Sequence, residues 1–137
     1  MAKNNRAFTL IELLIVIMII GVLAAMVLSI NFQKQLQKAR DGKRKVDIEQ
    51  IRSALEMCRS DSVTGSYPTL TSPICGGPLT CGSNTYLNPM PCDPKSPTNQ
   101  YTFSGGGTDY TLTATLEQGG SYTGTPLGST CSGGGCP

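Results

Sequence analysis

Residues 7–28 read AFTLIELLIVIMIIGVLAAMVL, and they decide the fold. Leu13 to Ile30 is a run of 18 residues without a charge. With Phe8 to Leu10 and the single Glu12, it is long enough to cross a hydrocarbon core about 30 Å thick as a helix. Its Ile, Val, Leu and Ala suit a helix surrounded by lipid or by other apolar side chains. A short polar leader carrying Lys3 and Arg6 precedes it. A secretory signal peptide would have a shorter, uncharged apolar region. A plain membrane anchor leaves Glu12 without a reason. A carboxylate inside a span costs roughly 2.5–3.5 kcal/mol on insertion scales, so it calls for a partner or a function.

The ordered run Phe8, Thr9, Leu10 and Glu12, followed by the apolar stretch, resembles the N-terminal processing and methylation signature of type IV prepilins and type II secretion pseudopilins. The resemblance implies a cleavage site between Ala7 and Phe8, used by a prepilin peptidase on the cytoplasmic side, and N-methylation of Phe8. Ala7 stands where the family usually has Gly, and Ser29 where many major pilins have Pro. The physics fits such processing. Cleavage exposes an α-amine on Phe8, removes Lys3 and Arg6, and leaves Glu12 one helical turn away. In a staggered stack the amine of one subunit pairs with Glu12 of its neighbour, which offsets the cost of both charges in an apolar filament core. Glu12 is therefore the candidate filament-assembly residue, and the pair would also set axial register.

Outward from this stretch the chain changes character. Residues 32–60 read as an amphipathic helix. Ile48, Ile51, Leu55 and Cys58 step by 3, 4 and 3 residues, which makes one apolar stripe, and Leu36, Ala39 and Val46 extend it less regularly. Gly42 is a weak point at which the helix could bend. Lys34, Lys38, Arg40, Lys43, Arg44 and Lys45 form a basic run interleaved with Asp41, Asp47 and Glu49. That pattern favours a solvated face with i,i+4 pairs such as Asp41 with Lys45 over headgroup or DNA contact. The positive-inside rule, counting these six against Lys3 and Arg6, would keep the C-terminal part in the cytoplasm. The cysteines and the family resemblance both point to export, and export is the reading adopted.

All nine prolines lie after Arg59, and residues 61–137 read as a globular head rich in Gly, Ser and Thr. Thr108 to Glu117 alternates, with Tyr110, Leu112, Ala114 and Leu116 on one face and Thr111, Thr113 and Thr115 on the other, so it reads as a strand. Gln100 to Ser104 is its expected partner, Gly105 to Gly107 the turn, and Ser121 to Thr123 a short third strand. The expected fold class is α+β: a long N-terminal helix packed on a small antiparallel sheet with disulfide-stapled loops. Tyr67-Pro68, the run Tyr86 to Pro94 and the Tyr101 and 110–117 segments resemble small bacterial pilin heads and support it.

Six cysteines, Cys58, Cys75, Cys81, Cys92, Cys131 and Cys136, in a small exported head read as disulfides. Loop closure favours near neighbours, which suggests Cys75 with Cys81, Cys131 with Cys136, and Cys58 with Cys92. The close spacings are C-x5-C and C-x4-C, and zinc knuckles use two to four intervening residues, so zinc is disfavoured. Major pseudopilins often hold calcium in a head loop. Asp61, Asp93 and Asp109 are the only acids on head loops or turns here, too few for a bet on six to eight oxygen ligands, and no metal or cofactor is expected.

The chain has no histidine, which removes His-based acid–base chemistry, Ser-His-Asp triads and His-ligated metals. With no nucleophile–base pair to assemble, no enzyme is expected. The expectation is a leader (1–7), a transmembrane and filament-core helix (8–31), an amphipathic helix (32–60) and a head (61–137). Its leading function is a structural subunit of a type IV pilus-like extracellular filament, anchored by a single span in the inner membrane before assembly. The resemblance implies self-association, a platform protein and an assembly ATPase as partners. A pseudopilin of a type II secretion system is the first alternative. A DNA-uptake or adhesive pilin is the second, and the net negative head disfavours nucleic acid.

Overall fold

The computed structural model describes residues 8–28, 31–72 and 74–136. The chain divides into two compact units, one ending at Gln33 and one beginning at Lys34. The first holds helix α1 (Leu10–Leu28), none of whose residues is buried within the chain. The leader lies outside the described residues.

Helix α2 (Phe32–Asp61) follows Asn31, a preferred N-cap residue, and runs through Gly42 without interruption. Its large apolar side chains define one buried side. Ile48, Ile51, Ala54, Leu55 and Cys58 are all at most 2% exposed. Each buried Ile or Leu contributes about 1.5–3 kcal/mol relative to an exposed one. Ala39 and Val46 do not extend this side: both are exposed.

The sheet that covers α2 has four antiparallel strands in the order β3 (Thr102–Gly106), β4 (Asp109–Thr115), β5 (Ser121–Thr125) and β6 (Gly128–Ser132). A separate hairpin joins β1 (Leu79–Cys81) to β2 (Asn84–Leu87). The alternation in β4 appears as expected. Tyr110, Leu112 and Ala114 enter the core with Tyr101, Phe103 and the α2 side chains. On the outer face Thr102, Thr113, Thr123 and Thr130 pair in register across all four strands. The expected glycine turn is shorter than Gly105–Gly107, because β3 continues to Gly106 and Gly107 bridges Tyr67. At Gly124 the sheet comes so close to α2 that an added Cβ would sit 3.1 Å from Ile48 Cγ2. Helix and sheet can meet there because the side chain is missing.

The disulfides are Cys58–Cys81, Cys75–Cys92 and Cys131–Cys136. The expected Cys75–Cys81 and Cys58–Cys92 pairs are corrected. Nearness in sequence misleads here because the chain doubles back. Gly76 N–H donates to Met90 O at 2.9 Å, and Met90 N–H to Gly77 O at 2.8 Å, which brings Cys75 beside Cys92. Strand β1 then carries Cys81 to the last turns of α2, beside Cys58.

Candidate assembly site

Helix α1 starts with a reciprocal cap. Thr9 Oγ1 accepts from Glu12 N–H at 3.3 Å, and Glu12 Oε2 accepts from Thr9 N–H at 3.4 Å and from Thr9 Oγ1 at 3.2 Å. This is the Thr-x-x-Glu capping box, which satisfies two otherwise orphaned backbone donors. The signal for it in the sequence is the T-L-I-E spacing of Thr9 and Glu12. Glu12 therefore has a local role in the single chain. Phe8 is 80% exposed, and Ala7 lies outside the described residues. Helix α1 is long and apolar enough to cross a membrane.

At the start of the second unit lies a buried ionic cluster that the sequence did not announce. The basic run is a solvated face only in part: Lys34, Lys38 and Lys43 are exposed and Lys43 makes an i,i+4 pair with Asp47, but Arg44 is fully buried. Its guanidinium donates to Asp93 through Nε at 2.6 Å and Nη2 at 2.9 Å. Nη1 reaches Asp41 at 2.7 Å and Glu117 at 3.0 Å. Glu117 also receives Arg40 and Lys95. Asp41 pairs with Arg44, not with Lys45 as the i,i+4 rule suggested, and it accepts the backbone N–H groups of Glu117 and Gln118. Lys45 donates instead to the carbonyl of Gly135.

Hydrogen bonding to Asp93 leads the forces that lift the Arg44 pKa above its ordinary value, against burial and with help from Asp41 and Glu117. Burial alone would raise the Asp93 carboxyl. Arg44 and the Lys95 backbone N–H outweigh it and hold Asp93 below the usual carboxylate range. Glu117 lies well below that range, chiefly through Arg40, with Lys95 and Arg44 adding to it. Burial and the bond to Asp47 raise Tyr101. This network fastens α2 to two distant loops.

The three acids weighed as metal ligands do not converge. Asp93 serves Arg44, Asp61 accepts from Tyr86, and Asp109 accepts from the Tyr110 N–H. Among the described residues no three His, Cys, Asp or Glu side chains could share an ion. An open cleft of about 350 Å³ between α2 and the C-terminal loop is lined by Lys38, Asp41, Lys45 and Gln118 among others, with no nucleophile–base pair in it.

Residues 2–28 match the family model described as the prokaryotic N-terminal methylation motif. The chain is 31% identical to type II secretion system core protein G of Vibrio cholerae, covering 93% of this chain and 92% of that protein. It is 32% identical to core protein G of Pseudomonas aeruginosa, over 93% and 96%. This chain belongs to the type IV pilin-like, pseudopilin family. No solved structure matches it. The pilin-like architecture, with an apolar N-terminal helix and a disulfide-bearing α+β head, is therefore the frame in which the capping box and the ionic cluster act.

Proposed function

We propose that the chain is a pseudopilin, a filament-forming subunit of a type II secretion machinery. The observation that carries this reading is the near full-length match to core protein G of two organisms, head included. A match to the N-terminal motif alone would have left a pilus subunit equally supported. The expected pilin-like filament subunit stands, and the match over the head favours its secretion-system form. DNA binding loses support, because Arg40, Lys43 and Arg44 of the basic run are held in ion pairs.

In this reading the chain sits in the inner membrane through α1 with its head exported. Prepilin peptidase hydrolyses the Ala7–Phe8 bond, and the new Phe8 amine is methylated. A platform protein and an assembly ATPase then move the subunit into a filament, where the Phe8 amine pairs with Glu12 of a neighbouring copy. Its work is assembly, with no reaction of its own.

Glu12 can be tested cleanly because its two roles separate. Glu12→Gln keeps a capping box, since Gln serves at that position, and removes the charge. Thr9→Ala does the reverse, losing the cap at about 1 kcal/mol and keeping the charge. The expected result is loss of filaments with Glu12→Gln and filament formation with Thr9→Ala, both with wild-type amounts of protein cleaved before Phe8. Wild-type filament yield from Glu12→Gln would reduce Glu12 to a cap.

A further inference from the structure

Folding sorts the charges at the start of helix α2. Residues 34–47 carry six basic and two acidic side chains. Both acids, Asp41 and Asp47, turn inward and are at most 3% exposed. Asp41 is taken by Arg44 and two backbone N–H groups, and Asp47 by the Tyr101 hydroxyl and Lys43. Arg40 and Arg44 go to Glu117 and Asp93. Lys34 and Lys38 are left exposed, and neither has an ion pair among the described residues. Lys45 is half-buried and donates to a neutral carbonyl, that of Gly135.

These three lysines share one flank. At about 100° per residue, Lys34, Lys38 and Lys45 fall within about 40° of one another, and Lys43 lies about 140° or more away. The open cleft between α2 and the C-terminal loop follows the same flank, with Lys38 and Lys45 in its wall. Its single acid is the inward-turned Asp41. Farther along α2, Glu49 is taken by Arg52. The flank therefore presents an excess of positive charge over about 17 Å.

A row of lysines is ordinary by itself. What gives this one an occupant is its place in the chain. Lys34 follows Leu28, the last residue of the apolar helix α1, by six residues, so it lies no more than about 21 Å from the end of that helix. Basic residues next to a span are drawn to anionic headgroups, each favouring contact roughly fivefold. Lysine suits a fluid surface, because its ammonium carries three rotatable donors and imposes no fixed geometry. Nucleic acid is the weaker occupant: nothing tethers it beside the flank, whereas α1 holds the headgroups there, and a tethered partner needs far fewer contacts.

We propose that the flank of Lys34, Lys38 and Lys45 binds the phosphate groups of anionic phospholipids in the membrane that holds α1. The inference rests on the membrane-anchored reading above and adds a second attachment, made by the head. This attachment keeps the unassembled head at the membrane and is given up when the subunit is drawn into a filament.

The test places the full chain in vesicles of phosphatidylcholine alone and in vesicles that also contain phosphatidylglycerol. Acylation of each lysine by a membrane-impermeant ester is followed by peptide mass spectrometry. The expected result is several-fold slower acylation of Lys34, Lys38 and Lys45 on the anionic vesicles, reversed by high salt, with Lys43 far less changed. Lys45 lies farther along the helix than Lys43, so neither depth alone nor a lower surface pH produces that order. Lys34→Gln/Lys38→Gln removes no ion pair of the chain and lowers the contact about 25-fold. It should return Lys45 to its rate on neutral vesicles. Equal rates on the two vesicles, equal slowing of Lys43 and Lys45, or a Lys45 rate unmoved by the double substitution would each overturn the proposal. So would the same protection by inorganic phosphate on neutral vesicles, which would make the flank a site for free anions. A chain that fails to float with neutral vesicles refutes the anchored reading instead, and the lysine rates with anionic vesicles still decide this one.

Discussion

Replacing Arg44 by Met removes the centre of the ionic cluster while keeping the volume of the side chain's stem. The cost can be worked out acceptor by acceptor. Glu117 keeps Arg40 and Lys95. Asp41 keeps the N–H groups of Glu117 and Gln118. Asp93, whose side chain is 1% exposed, keeps only the Lys95 N–H. Breaking a buried pair by removing one partner costs about 3–5 kcal/mol, and here most of it falls on Asp93. For a unit of this size each kcal/mol moves Tm by about 4–8 °C, so Arg44→Met should melt at least 12 °C or so lower at pH 7. The double variant Arg44→Met/Asp93→Asn removes the stranded charge and keeps an acceptor for Lys95 N–H. It should recover more than half of the loss.

Titration gives a second signature with a defined sign. In the wild type the Asp93 pKa is depressed on folding. Its contribution is therefore present above the unfolded carboxylate value, near 4, and fades only as pH falls through the lower folded value. Without Arg44, burial dominates and raises the folded pKa above the unfolded one. The folded variant then takes up the proton first, so its stability rises relative to wild type as pH falls. The gap between the two melting curves should narrow between pH 7 and pH 4. Thermal unfolding of the full chain in detergent, followed by near-UV circular dichroism across this range, measures both. A loss under about 1 kcal/mol at pH 7, or a gap independent of pH, would refute the argument that Asp93 depends on Arg44.

Two further outcomes follow from the head. Opening Cys58–Cys81 or Cys75–Cys92, which span 23 and 17 residues, should each cost about 3 kcal/mol on the chain-entropy estimate, and opening Cys131–Cys136, which spans 5, about 2 kcal/mol. Paired Cys→Ser variants melted under non-reducing conditions give the order, and peptide mapping before reduction checks the connectivity. Gly120→Ala should destabilise the sheet by more than about 2 kcal/mol, read from urea unfolding. Its φ of 92° disfavours any side chain, and the new Cβ would collide with the backbone carbonyl of Ser132.

The parts of this fold that were legible in the sequence are those whose signal is local and periodic. Tyr110, Leu112 and Ala114 alternate, and Ile48, Ile51, Leu55 and Cys58 recur at helical spacing, so both packed faces could be named before any coordinates. Strand β6 was missed because its Gly, Ser and Thr carry no apolar alternation, and the β1–β2 hairpin because strands of 3 and 4 residues are too short to show a period. The ionic cluster was missed for a stronger reason. Arg44 sits 49 residues from Asp93 and 73 from Glu117, and nothing near it marks it as different from Lys43 or Lys45. A run of basic residues looks the same whether water or a distant carboxylate receives it.

The misplacement of Ala39 and Val46 is more instructive, because the sequence contained the means to avoid it. Helix α2 has two uncharged stripes on opposite sides, and a reading that asks only which positions lack charge merges them. Side-chain volume separates them. The stripe at Ile48, Ile51 and Leu55 is large, as a core that must be filled to crystal-like density requires. On the other side Ala39, Gly42 and Ser53 are small, and Val46 and Met57 are left exposed. Volume thus tells the two sides apart: the large stripe is matched by β4 of the same chain, and the other side stays exposed.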